Sequence, residues 1–543
     1  MATEISLPRS PVGAVLVRAR VRTPRWSPEA WGAIGVTTLF LAVTCWWLTQ
    51  DSSIPTFDAG FQLSFAQRVY RELGAGHILK AFQLVQPYPP FVYLIGSLGM
   101  AIGGVGVASP IIAENLFFVT LLALGCYQVG KRAFGPAAGL LAVVFALGSP
   151  LAIAQFHVFM IDAPEAGMVA VSVWLILASE GFTRVRVSAL AGLAVGLGMV
   201  TKEPFAFFIA GILGVTIVRI VLAWVRDGSL RWQGLAVFAI VALAVAGPWY
   251  IQFYSLIHHV ASVSVAAAGH PQYINDVAPA RYTVDNLTWY FWNFINYQLY
   301  LPLFLFAAAG WVWMCVRLVR RQPVSSLAPE LMVGALVAWV AITETFDHDT
   351  RYSEPMLLYL AVIGTGWLMQ LGRTTRIALI AVLALVACIN TLGASFGVGK
   401  EVGVSLASSE TLQEQGHLTI FSKAGFIVDK PMRDGDILAT LQALRSHGVR
   451  LVDLSESFLI EPDFSLVGLT ALSEIAGLAV DVGVAPSKLS QRDAIFAHGK
   501  ITAEKPPPCV RLDDGTGVWI RLGNPNAPGS RDYCPTRHPA FYG

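Results

Sequence analysis

Long apolar runs recur through most of this chain, and the charges between them alternate in kind. Arg and Lys gather in every second connection, at Lys131/Arg132, Arg184/Arg186, Arg226/Arg231, Arg317/Arg320/Arg321 and Arg373/Arg376, while Asp, Glu and His gather in the others. No water reaches the hydrocarbon to satisfy backbone N–H and C=O groups, so runs of this length must fold as helices that bond internally. The positive-inside rule puts the Arg/Lys connections in the cytoplasm and the acidic connections outside. Chemistry is therefore expected on the outer side.

With 55% hydrophobic and only 13% charged residues, and a mean hydropathy of +0.60, the whole composition follows this pattern. The net charge of +2 gives no reason to expect nucleic acid as a partner. Arg9, Arg18, Arg20, Arg22 and Arg25 precede the first apolar run, which ends in Trp46 and Trp47 rather than small residues. That makes it a retained anchor behind a cytoplasmic tail, residues 1–30, of a multi-pass protein of the inner (plasma) membrane. The fold class expected is a polytopic α-helical membrane protein of about 11 crossings plus a C-terminal soluble α/β domain. The spans fall near 31–49, 110–130, 137–156, 164–180, 187–201, 205–224, 234–251, 289–316, 328–345, 354–370 and 376–394. Ionisable residues are expected to be missing from them, apart from Glu114 near one end.

Residues 90–107 are apolar enough to cross, but a crossing there would turn every later Arg/Lys cluster outward. They are expected to lie along the interface or dip into it. Upstream, Phe61, Phe65, Val69 and Leu73 recur every four residues beside Arg68 and Arg71, the pattern of an amphipathic helix on the membrane surface. The first outer loop, 50–109, thus hugs the membrane.

After about residue 396 the composition turns mixed. Asp434 is placed to cap a helix over 437–446 leading into a strand over 449–454, and a second helix-then-strand pattern lies near 466–483. The transmembrane unit is thus 31–396 and an extracytoplasmic α/β domain 397–543. Of the six cysteines, only Cys509 and Cys534 lie outside apolar spans, and an oxidising outer compartment favours a disulfide between them.

The outer loops carry Asp51 and Asp58; Asp162 and Glu165; Lys202 and Glu203; His258, His259, His270, Asp276, Arg281 and Asp285; and the run from Glu344 to Pro355. Charges at the ends of apolar spans are costly unless wetted or paired, so such a cluster marks function. Each also has a structural explanation. Asp58 suits a helix N-cap as well as catalysis, Asp162 could cap the next helix with Pro164 and Glu165 in its first turn, and Lys202 and Arg351 could serve as interfacial anchors. Asp347, His348 and Asp349 have metal-ligand chemistry, but three adjacent residues rarely coordinate together.

In order along the chain these pieces resemble the GT-C superfamily of polyprenyl-phosphate-sugar-dependent glycosyltransferases, in particular the protein O-mannosyltransferase and lipid A aminoarabinose transferase branch. The carriers are Asp58 before the amphipathic helix; Tyr88-Pro89-Pro90-Phe91-Val92-Tyr93; Gly130 to Gly135; Ser149-Pro150 followed by Asp162-Ala163-Pro164; Thr201-Lys202-Glu203-Pro204; Pro248-Trp249-Tyr250; and Arg351-Tyr352 with Pro355. The resemblance covers roughly residues 31–370. It implies a long first outer loop with membrane-parallel helices, and catalysis by Asp58 and Asp162, with Asp58 as the base. Arg351, Lys202, Arg281 and Tyr352 would bind the donor phosphate, and Glu165, Tyr88 and His348 would line the substrate pocket. The partners implied are a polyprenyl-phosphate sugar donor, an extracytoplasmic glycan, lipid or protein acceptor, and membrane lipids. No cofactor is certain; a divalent metal is left open, with Asp58, Asp162 and Glu165 as its candidate ligands.

Three departures bear on this. An acidic-Lys-Pro-Pro pattern of the aminoarabinose transferases is Pro87-Tyr88-Pro89-Pro90 here, the mannosyltransferase Asp-Glu pair is Asp58-Ala59, and the metal-binding Asp-x-Asp of oligosaccharyltransferases is Asp162-Ala163-Pro164-Glu165. Two other classes stay in view, a transporter or flippase of lipid-linked substrates and a non-catalytic assembly subunit.

Overall fold

The computed structural model describes residues 26–55, 57–84, 88–227, 232–258, 279, 282–325, 327–345, 348–406, 416–423, 431–433, 437–454, 466–482, 493–502, 507–512, 515–522 and 531–532. The helices are α1 (Pro28–Gln50), α2 (Phe57–Gly74), α3 (Phe91–Gly103), α4 (Ala108–Phe134), α5 (Pro136–Leu147), α6 (Asp162–Ala178), α7 (Val185–Met199), α8 (Phe205–Asp227) and α9 (Trp232–Gln252). They continue with α10 (Tyr300–Val319), α11 (Ala328–Thr343), α12 (Leu357–Gly366), α13 (Arg373–Phe396), α14 (Ile437–Ser446) and α15 (Leu466–Ile475). Among the described residues six of these, α1, α4, α8, α9, α10 and α13, are long and apolar enough to cross a membrane. The shorter α3, α5, α7 and α11 are also apolar. The protein is a multi-pass membrane protein of the helical class expected.

Glycine sets the helix spacing, as it does where lipid offers no hydrophobic drive for association. A Cβ on Gly125 would sit 2.4 Å from the Ala170 carbonyl carbon, and one on Gly167 2.6 Å from the Phe118 oxygen, so α4 and α6 touch backbone to backbone. The same holds for α8 and α11 at Gly211 and Gly334, 2.7 Å apart by that measure.

Two expectations need correction. The span over 289–316 is not one helix: a helix over Val284–Asn293 passes through a π turn, Phe294–Gln298, and α10 then starts at Tyr300, whose φ is 54. Nor are the spans free of charge beyond Glu114. Arg219 of α8 pairs with Glu330 of α11, and Glu354, fully buried, falls at the start of an expected span.

The amphipathic helix α2 packs against protein on two sides and leaves Phe61, Arg68 and Arg71 exposed. Its Leu63, Ala66 and Val69 are buried against α3, where Ser97 Oγ donates to the Ala66 carbonyl at 3.1 Å. Its other side meets α15, which brings the C-terminal region onto the first loop. Ser64 and Arg68 donate to the Glu474 carboxylate at 2.9 and 3.0 Å, and Arg71 to the Glu474 carbonyl at 2.9 Å. A Cβ on Gly60 would lie 2.7 Å from the Gly468 Cα, and one on Gly468 2.1 Å from the Pro55 oxygen.

The C-terminal strands are β1 (Val402–Ser405) and β2 (His417–Phe421), an antiparallel pair, and β3 (Leu451–Leu454), β4 (Ala479–Val482), β5 (Asp493–Lys500), β6 (Val510–Arg511), β7 (Thr516–Leu522) and β8 (Arg531–Asp532). The larger sheet runs β4-β3-β5-β7-β6, with β3 parallel to both neighbours and β5 antiparallel to β7, while β8 pairs with β7. Two helix-to-strand units, α14 to β3 and α15 to β4, follow the pattern read from the sequence. Their core includes Leu441, Val452, Leu469, Phe496 and Ile520, together with Ile54 from the first loop. Asp434, the expected cap, lies outside the described residues. Cys509 is disulfide-bonded; Cys534, its expected partner, also lies outside them.

Candidate active site

Helix ends and loops on one face gather the charges. Asp162 is the first residue of α6, so Asp162 and Glu165 place negative charge in its first turn, where the helix dipole favours it. Asp162 is not the cap, a position held by Ile161, so its carboxylate projects away from the helix end and accepts Lys202 Nζ at 2.5 Å. Glu165 Oε2 lies 3.8 Å from the same nitrogen. These three side chains are at most 8% exposed. Burial works against the charge on Lys202, but the carboxylates of Asp162 and Glu165 outweigh it and raise its pKa. The ammonium also sits over the Tyr352 ring, 4.5 Å from its centre.

A second cation stands beside the first. The 3-10 turn Thr350–Met356 is capped by Asp349, which accepts the Arg351 N–H at 2.9 Å and grips its guanidinium through Nε at 3.0 Å and Nη2 at 2.5 Å. Burial pulls the Asp349 carboxyl up, yet Arg351 outweighs it and holds the carboxyl below its ordinary value. The same Nη2 reaches Asp58 at 2.8 Å, from the first turn of α2. Asp58 is the exposed member of the pair, 43% against 13% for Arg351. Burial, and next the Asp58 charge, raise the pKa of Tyr88. Glu203 is half-buried, and burial pushes its carboxyl up to about 7.

The turn is braced from behind. Asn293 donates to the Thr350 carbonyl at 3.0 Å and to Ser353 Oγ at 2.7 Å, and Ser353 donates to Gln298 at 2.6 Å. The π turn matters here because it aims Gln298 and Asn296 into the fold; Asn296 accepts both the N–H and the hydroxyl of Thr419 on β2 at 3.0 Å.

Of the residues expected to form the site, Asp58, Tyr88, Asp162, Glu165, Lys202, Arg351 and Tyr352 therefore share one region. His348 does not lie on the carboxylates. Its ring packs 5.2 Å from Trp289 and 5.3 Å from Tyr290, and burial pushes its pKa down to about 4. Arg281 lies outside the described residues. The metal candidates are engaged by different cations, Asp58 by Arg351 and Asp162 and Glu165 by Lys202. Among the described residues no group of three or more His, Cys, Asp or Glu is arranged to hold a metal ion. Three participants were not anticipated: Asp349 as the grip on Arg351, Glu354 with its oxygens unpartnered among the described residues, and Asn293 as a brace. Asp349 and Glu354 fall in the polar last outer loop, Glu344 to Pro355, whereas Asn293, inside the span expected over 289–316, carried no such signal.

Fold and site together define a polytopic helical membrane protein with an acidic, cation-braced cluster at one face. Residues 87–252 match the model of the family described as dolichyl-phosphate-mannose-protein mannosyltransferase, a segment that includes Tyr88, Asp162, Glu165 and Lys202. No curated protein matches it in sequence. Among solved structures it is similar to ArnT from Cupriavidus metallidurans bound to undecaprenyl phosphate, at 15% identity and TM-score 0.48 over 68% of this chain and 72% of that one. ArnT in the apo state gives 18%, 0.47, 66% and 65%. The Archaeoglobus fulgidus oligosaccharyltransferase tethered to an acceptor peptide gives 13%, 0.42, 68% and 55%.

Proposed function

We propose that the protein transfers one sugar from a polyprenyl-phosphate carrier to an acceptor outside the cytoplasm, by a single inverting displacement at the cluster. The observation that carries this reading is the division of labour between the two cations. Lys202 is buried and already neutralised by Asp162 and Glu165, whereas Arg351 bridges a buried carboxylate, Asp349, and an exposed one, Asp58. An arriving phosphate competes with Asp58 for Arg351, because a guanidinium binds phosphate and carboxylate in the same geometry. Asp58 is then released to take the proton of an acceptor hydroxyl as it attacks the anomeric carbon. The sugar–phosphate bond breaks, and the leaving phosphate keeps its electron pair and charge, held by Arg351 with Lys202 behind it. Tyr88, beside Asp58, would line the acceptor approach, and Tyr352 would fix the position of Lys202.

Catalytic roles for Asp58 and Asp162 differ in this scheme. Asp58 touches the reacting proton, and Asp162 holds Lys202. Orientation follows the charge pattern, with the N-terminus cytoplasmic and the cluster and C-terminal strands outside. A panel of polyprenyl-phosphate sugars offered to the purified protein with membrane and cell-wall extract tests the reading. We expect label transfer from at least one donor, and Arg351→Gln should raise the donor KM as well as lower kcat. Transfer by Arg351→Gln with an unchanged donor KM would remove Arg351 as the phosphate clamp.

A further inference from the structure

The opposite end of the helix bundle holds a second polar recess. Asp162 and Ala178 mark the two ends of α6, so that recess lies about 25 Å from the cluster, at 1.5 Å per helical residue. It arises from unequal helix lengths. α8 and α11 meet at Gly211 and Gly334 and run together to Arg219 and Glu330; there α11 begins, while α8 continues for eight more residues, about 12 Å. The space left beneath the start of α11 is a cavity of about 490 Å3. Thr216, Arg219, Ile220, Glu330, Glu180 and Thr183 line it. That volume suits a small amphiphile's polar end.

Its charges alternate. Glu330 is 3% exposed and paired with Arg219, and Glu180 is paired with Arg184 at 2.6 Å. A buried carboxylate is expensive to retain without a partner, and here Glu330 is enclosed while Arg219, 54% exposed, stands at the mouth of the recess. The rim is itself unusual. Glu180, Gly181 and Phe182 occupy the left-handed region in succession, with φ of 52, 68 and 60. This conformation is disfavoured for residues bearing a Cβ, and here it is held by burial of Phe182 and by α9, where Gly234 lies under the Phe182 oxygen. The turn aims Glu180 over the recess.

We propose that this recess binds the headgroup of a zwitterionic phospholipid carrying a primary ammonium. The phosphate would meet Arg219, the ammonium would donate to Glu330 and Glu180, and the acyl chains would leave along Ile220 and Ala223 into the bilayer. A quaternary ammonium offers no N–H to the carboxylates, and an anionic lipid has no cation for them.

The test is independent of the transfer chemistry. Protein in nanodiscs of equal phosphatidylethanolamine, phosphatidylcholine and phosphatidylglycerol is released from bulk lipid and weighed intact by native mass spectrometry. We expect one retained phosphatidylethanolamine, preferred by about tenfold, the worth of one charge-assisted hydrogen bond. Ala223→Trp, which fills the recess, and the double variant Arg219→Leu/Glu330→Leu should each abolish retention. Equal retention of the three lipids, preference for phosphatidylglycerol, or retention unchanged in Ala223→Trp overturns the proposal.

Discussion

Replacing Lys202 with Met removes the cation that makes two buried carboxylates tolerable. In the wild type, Nζ lies 2.5 Å from Asp162 and 3.8 Å from Glu165, whose side chains are 4% and 1% exposed. Water cannot solvate them, so loss of the partner leaves uncompensated buried charge, which costs about 3–5 kcal/mol. Loss of the cation–π contact with Tyr352 adds about 0.5–2 kcal/mol. Asp162→Asn with Lys202→Met leaves no charge at the closer contact, so the double variant should recover about 2 kcal/mol relative to the sum of the singles, within the range for residues in direct contact. Reversible unfolding in mixed micelles by added SDS, run on wild type, both singles and the double, gives the coupling energy. A cost below about 1 kcal/mol for Lys202→Met, or strictly additive singles, would refute the account of the buried pair.

Gly468→Ala should push α15 off the first loop, because the new methyl would lie 2.1 Å from the Pro55 oxygen; a loss of about 1–3 kcal/mol is expected, with transfer falling as α2 and Asp58 shift. Thermal unfolding and initial rates on the same preparation check it, and an unchanged rate would separate the C-terminal contact from catalysis. The folded protein keeps Glu203 protonated up to about pH 7, whereas the unfolded chain releases that proton in the ordinary carboxylate range. Stability attributable to this group is therefore greatest at low pH and declines as pH rises towards 7. Glu203→Gln should flatten that decline; a variant with the wild-type pH profile would show that Glu203 ionises freely.

The transmembrane frame was legible because lipid leaves the backbone few choices, and the alternation of Arg/Lys with acidic connections fixes which loops share a face. Asp58, Asp162, Lys202 and Arg351 could be picked out since each is a charge at the end of a helix or apolar span on the acidic side of the chain. Their pairing could not, because it depends on which loops meet, and Asp58 and Arg351 are far apart in sequence. Periodicity marked α2 as amphipathic but could not distinguish a lipid surface from a protein one. Helix α15 supplies that protein surface through Glu474, a residue with no local signature. The break before α10 was hidden for a similar reason: Phe294 to Gln298 reads as part of an apolar helix, and only the bonds of Asn296 and Gln298 to β2 and the Ser353 turn explain the π turn.

In the proposed reaction Asp58, released from Arg351 by the donor phosphate, is the base of a glycosyl transfer. This role is tested most directly by transfer of radiolabelled sugar from a polyprenyl-phosphate donor at saturating concentration, comparing wild type with Asp58→Asn. The account predicts donor binding retained and transfer lowered by about 10²–10⁴-fold in the variant, the usual contribution of a positioned base. Transfer at the wild-type rate in Asp58→Asn would contradict it.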